Sequence, residues 1–167
     1  MPDKTEVSIH TNPQTGLSTW TADSPGFRIE LIQLVPDFVR AVYGSHHFPA
    51  EEIERIAAFC VFGTVLKNTS NKPLSYRVAD WYFIDADGEQ HPVKTKTQWI
   101  EEWRKAGIPF SWTLLPDAGT FENGDWQQGF TTINTPADQP FELVYAWEAG
   151  GKRHEGRIKN LHCAERT

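Results

Sequence analysis

No apolar run in this chain reaches the roughly 18 residues that a membrane-crossing helix requires. Basic residues are also too few and too dispersed for a nucleic-acid surface. Lys and Arg number 16 against 22 Asp and Glu, for a formal net charge of −6. Neutralising phosphates needs a basic patch, and none is present. The opening MPDKTEV is polar and lacks the apolar centre of a signal peptide. Such a start fits a cytosolic chain or a mature form whose leader has been removed. Methionine occurs once, at Met1, which argues against a thioether-rich Cu(I) site.

Other absences bear on chemistry. There is no CxxC, so neither a zinc knuckle nor a thioredoxin-type centre is indicated. No glycine-rich phosphate loop and no GxSxG occurs. Ser45 beside His46 is not a triad, because adjacency does not supply the geometry. Glu101 and Glu102 are neighbours on an expected helix and diverge, whereas glycosidase carboxyls face each other across a cleft. DADGEQ, with Asp85 and Asp87, lacks the further ligands of a calcium loop and reads as a hairpin turn. No acid, base and nucleophile constellation emerges, so the expectation is a protein that is not an enzyme.

What the chain does have is tryptophan, seven residues in 167, and an aromatic fraction of 13%. Large flat rings suit sheet faces and binding surfaces. The length fits one domain over 1–167, with 1–26 a flexible or edge-strand N-terminal segment containing GLSTWTA. FRIELIQLV alternates as a half-buried strand, and DFVRAVYG reads as the strand after it. FPAEEIERIAA predicts a short helix near 49–57. Pro49 suits its first turn, and Glu51 and Glu52 favour the positive end of the helix dipole. TQWIEEWRKAG predicts a second helix near 97–106, with Thr97 as N-cap and Gly107 as the stop. FCVFGTVLKN, LSYRVADWYFI, EQHPV, FSWTLLP, DWQQGFTTIN, FELVYAWEA and KRHEGRIKNLHC read as strands. The fold class expected is mainly β: an antiparallel β-sandwich of seven to nine strands with two short helical insertions.

The two cysteines, Cys60 and Cys163, each fall in or beside an expected strand. Either they are buried thiols or they form a disulfide. We expect the disulfide, and with it an oxidising compartment, periplasmic or secreted.

Two segments carry a resemblance. GTVLKNTSNKPLSYRVADWYFIDADGEQ runs strand, turn, strand, turn. LLPDAGTFENGDWQQGFTTINTPADQPFELVYAW runs turn, strand, spacer, aromatic-alternating strand. Over roughly 58–149 the pattern resembles the immunoglobulin-like β-sandwich modules of bacterial secreted proteins and lipoproteins. The resemblance implies a fold and little about activity.

Two candidate sites follow. Trp99, Trp103 and Trp112 cluster in sequence. As an exposed surface they would stack a small ligand or anchor an extracytoplasmic protein partner; as core they would fill the space beneath the second helix. The expected function is a non-catalytic binding or accessory protein using that surface. The alternative is a periplasmic copper-binding protein using His46 and His47, with His10 or His91 as a third ligand.

Overall fold

The computed structural model describes residues 4–165; Met1 and the first residues of the N-terminal segment lie outside that range. The order of elements is β1 (Glu6–Thr11), β2 (Ser18–Ser24), β3 (Phe27–Gln33), α1 (Pro36–Ser45), α2 (Ala50–Ala57), β4 (Cys60–Asn68) and β5 (Leu74–Arg77). A single 3-10 turn (Val78–Asp80) then leads to β6 (Tyr82–Ile84), β7 (Gln90–Pro92), α3 (Lys96–Lys105), β8 (Ala118–Phe121), β9 (Trp126–Ile133), β10 (Phe141–Ala149) and β11 (Lys152–Leu161). The strands form two antiparallel sheets. The first is ordered β1-β2-β3-β4-β9, and the second β7-β6-β10-β5-β8, with β11 also paired to β10.

Strict alternation in β2 and β3 puts Trp20, Ala22, Phe27, Ile29 and Leu31 on one face. That face meets the second sheet. Phe27 stacks on Trp147 with ring centroids 4.6 Å apart, and Phe62 meets Phe141 edge-on at 5.9 Å. At its β4–β9 end the opposite face of the first sheet is covered by the helices. Val61 and Phe130 from the sheet meet Val39, Tyr43, Ile56, Trp99, Trp103 and Phe110 there, in a second apolar cluster. The molecule therefore has three layers, and its two cores lie on either side of the first sheet.

Cys60 and Cys163 are joined in a disulfide, with Cα atoms 5.2 Å apart. It ties the start of β4 to the tail beyond β11. The buried Gln33 amide closes the same corner: its Oε1 accepts from the Ser18 N–H at 2.8 Å, and its Nε2 donates to the His162 carbonyl at 3.0 Å.

The structure corrects several expectations. DFVRAVYG is not a strand but most of α1. Pro36 starts it with φ already set, Asp37 lies in the first turn, and Val39 and Tyr43, four apart, share the buried face. Arg40 pairs with Asp37 within the helix at 2.8 Å and ties the helix to α2 through Glu54 at 2.9 Å. There are thus three short α-helices rather than two. The N-cap of α3 is Thr95, in a capping box with Gln98, and Thr97 instead donates to Asp117. Gly107, with φ of 80°, ends that helix as expected. GLSTWTA lies largely in β2, an interior strand, because β1 takes the edge. FSWTLLP crosses the sheet margin rather than forming a strand. Leu115 N–H donates to the Phe130 carbonyl at 2.9 Å, and Phe130 N–H donates to the Thr113 carbonyl at 2.7 Å. Gly129 permits the crossing, since a Cβ there would sit 2.4 Å from the Leu115 nitrogen.

Candidate functional site

The expected tryptophan surface resolves into a chain of rings that runs from the interior outward. Trp99 and Trp103 are four apart on α3 and face the sheet, and both are fully buried. The Trp99 indole N–H donates to Thr132 Oγ1 at 2.9 Å, which satisfies its polar atom inside the core. From Trp103 the contacts pass to Phe110 at 5.7 Å, and from Phe110 to Trp112 at 5.2 Å. Trp99 and Trp103 therefore present no ring to a partner. Trp112 does: it is 64% exposed.

The loop that carries Trp112 is fixed from beneath. Thr113 adopts a positive φ of 76°, and its hydroxyl meets the Tyr43 hydroxyl at 2.6 Å. Burial pushes the Tyr43 phenol up to about 12, so it stays protonated across the ordinary pH range. His46, at the C-terminal end of α1, packs against Phe110 at 4.7 Å and lies nearly parallel to Trp112 at 6.4 Å. Two residues expected to serve different sites, His46 and Trp112, thus meet in one. Around the corner, Phe38 is also half-exposed and lies edge-on to Phe130 at 6.5 Å. This assembly can offer a rigid aromatic face with an imidazole beside it. Trp126, the other exposed tryptophan, starts β9 opposite Lys67.

The histidines are not gathered. His47 has a φ of 63° and is exposed beside His46. His10 lies on the edge strand β1, and His91 bonds Asp85 through Nε2 at 2.7 Å. Among the described residues, the group of three metal-capable side chains whose ligand atoms lie within 4.8 Å is Asp85, Glu89 and His91; His46 and His47 are not in it. Asp85 also accepts from the Glu89 and Asp87 backbone N–H groups at 2.9 Å each. His91, with those donors, holds the Asp85 carboxyl below its usual range. That arrangement is what a tight β6–β7 hairpin needs.

A second feature carries little sequence signal. Lys94 Nζ sits 3.7 Å over the Trp99 ring, beside a cavity of about 500 Å³ lined also by Phe59, His91 and Lys105. Glu102 pairs with both Lys94 and Arg55, which links α2, α3 and the chain leading into α3. Burial, then the nearby Arg55 charge, brings the Lys94 amine down to about 8. The sequence places Glu102 on a solvated helix face. Of its two cationic partners, Arg55 lies 47 positions away and Lys94 precedes the helix, so no helix-face pattern announces them.

No family model matches the chain, and no curated protein matches it. Solved structures similar at low identity include three from Bacillus subtilis and Saccharomyces cerevisiae. One is the yjhA protein of Bacillus subtilis, at 17% identity over 51% of this chain and 53% of that one, with a TM-score of 0.36. Another is ycdA of the same species, described as a lipoprotein, at 13% identity over 95% of this chain and 37% of that one, with a TM-score of 0.40. The third is the GAE domain of GGA2p from Saccharomyces cerevisiae, at 12% identity over 93% of this chain and 100% of that one, with a TM-score of 0.31. The chain thus spans about half of the first and little more than a third of the second. Likeness at this level carries no argument about what the chain does.

Proposed function

We propose that this is a non-catalytic extracytoplasmic binding or accessory protein that contacts a protein partner or small ligand through the aromatic face at Trp112. The observation that carries the reading is the treatment of the tryptophans. Trp20, Trp81, Trp99, Trp103 and Trp147 are buried, while Trp112 is held out on a braced loop at 64% exposure. A fixed, amphipathic ring loses little conformational entropy on binding, which is the usual character of an interface anchor. The disulfide supports the extracytoplasmic part, since such bonds persist in oxidising compartments. Two antiparallel sheets with a shared core support a β-sandwich of immunoglobulin-like kind, with the three helices as additions on one face.

A photoreactive amino acid at position 112, introduced in the producing cell, tests the reading against the same group at position 126. Specific adducts at 112 that are absent at 126 are the expected result. Equal or absent labelling at both positions would remove the assignment. A preliminary check is cheap. Iodide should quench a minor part of the tryptophan fluorescence, and Trp112→Phe with Trp126→Phe should abolish that part.

A further inference from the structure

The free edges of the two sheets are not treated alike. The β9 edge is covered by the chain at Thr113–Leu115 and by a bridge from Lys94 to Thr132. The long β11 edge carries Lys152, Arg153, Arg157 and Lys159, with a register shift where it meets Phe141. β7 is three residues long and contains Pro92. These are the ordinary means by which proteins blunt exposed edges. β1, EVSIHT, has six residues with no Lys, Arg or Pro and an unbroken register against β2.

Its side chains are also unusual. Val7 and Ile9 lie opposite Ala22 and Trp20, so they share the inner face of the first sheet. Ala22 and Trp20 are buried, but Val7 is 43% and Ile9 58% exposed. β1 thus carries core-type residues of the inner face into solvent. On the other face, Glu6 stands directly opposite Asp23, a like-charge pairing that is unfavourable across strands.

Hydrogen-bond phase decides what this edge offers. Asn12 N–H donates to the Leu17 carbonyl, and Ser18 N–H turns the other way, to Gln33. In an antiparallel ladder bonded pairs alternate. Glu6, Ser8 and His10 therefore bond β2, while Val7 and Ile9 direct their N–H and C=O groups to the open side.

We propose that β1 pairs with β1 of a second copy, antiparallel, about a two-fold axis at Ser8. That register places Val7 opposite Ile9 of the other copy as a bonded pair on the inner face. It places Glu6 opposite His10 on the outer face, each contact occurring twice by symmetry. Centring on Val7 sets Ile9 against Thr5 and leaves His10 without Glu6. Centring on Ile9 sets Val7 against Thr11 and Glu6 against Asn12. The Ser8 register alone matches apolar with apolar and acid with imidazole. One strand pair is small against the roughly 1,200–2,000 Å² of stable complexes, so the dimer is reversible and concentration-dependent.

Sedimentation velocity over a concentration series reads this directly. Wild-type protein should move from the 19.0 kDa chain mass toward twice that value as concentration rises. Ile9→Pro removes an N–H used only between copies, and proline is tolerated on the open side of an edge strand. It should remain monomeric with an unchanged thermal midpoint. Glu6→Lys should weaken pairing about fivefold, from two lost cross-strand contacts. Glu6→Lys combined with His10→Glu should restore it. A wild-type protein that stays monomeric into the millimolar range overturns self-pairing, as does a dimer indifferent to Ile9→Pro. Failure of the double exchange to restore pairing overturns the Ser8 register.

Discussion

At the scale of single residues, Lys94 shows how packing sets chemistry. Its amine lies over an indole, shares Glu102 with Arg55 and is brought down to about 8 from an ordinary 10.5. Below about pH 8 both folded and unfolded chains hold that proton, and the burial penalty is constant. Above it the unfolded chain binds the extra proton, so stability rises with pH. The rise turns over near the ordinary tyrosine value of 10.0, because Tyr43 and Tyr145 are held up to about 12 by burial and the unfolded chain then loses protons first. Urea unfolding from pH 7 to 11 should therefore show stability rising from about pH 8 to a maximum near about pH 10 and falling beyond it. Lys94→Gln should flatten the rising limb alone. A flat wild-type profile between pH 8 and 10 would contradict the depressed amine. Gly129 makes a second residue-scale case. Any Cβ there meets the backbone nitrogen of Leu115 at 2.4 Å, and backbone cannot swing aside as a side chain can. Gly129→Ala should cost about 1–3 kcal/mol in denaturant unfolding. It should also loosen the segment that carries Trp112, seen as higher iodide access.

At the scale of elements, what the sequence discloses depends on how local the cause is. The helix at Ala50–Ala57 and the one at Lys96–Lys105 are visible because their dipole ends and apolar faces lie within one stretch. β2 and β3 show clean alternation, and the hairpin at Asp85–Gly88 has its own turn chemistry. α1 is missed because Phe38, Val39, Val42 and Tyr43 are β-formers by intrinsic preference. The helical argument lies in spacing: Val39 and Tyr43 are four apart, and Arg40 sits between Asp37 and a glutamate in the next helix. The site is harder still. Trp99, Trp103 and Trp112 are conspicuous in sequence, but the one that faces solvent is decided by where α3 lies on β9. The ion pair of Glu102 with Arg55 is equally non-local. The α3 cap separates two local readings. Thr95 accepts from the Gln98 N–H at 3.2 Å, and the Gln98 side chain returns a bond to the Thr95 N–H at 2.8 Å. Thr95→Ala should lower stability by about 1 kcal/mol. Thr97→Ala should cost less and act through Asp117, not through the helix end. Equal losses from the two variants would place the cap wrongly.

At the scale of the whole molecule, the cross-link between Cys60 and Cys163 governs the unfolded chain as much as the folded one. The bonded residues are 103 apart in sequence, so the bond encloses most of the chain beyond α2. Closing a loop of that size removes denatured-state entropy worth roughly 4–5 kcal/mol in the chain-entropy model. In the folded state the same bond fixes the tail after β11 to the first sheet, beside the Gln33 amide that already holds His162 and Cys163 by their carbonyls. The corner thus retains part of its order without the disulfide, while the denatured state is wholly released. Two observables follow. Cys60→Ala with Cys163→Ala should lower the unfolding free energy by about 2–5 kcal/mol. It should also steepen the urea dependence, because an uncrosslinked chain exposes more surface on unfolding. The Trp112 face lies across the first sheet from this corner and should keep its iodide access in the folded double variant. A lower midpoint with an unchanged slope would instead mean that the bond acts mainly on native packing. Altered quenching at Trp112 would mean that the helical layer depends on a cross-link made on the far side of the sheet.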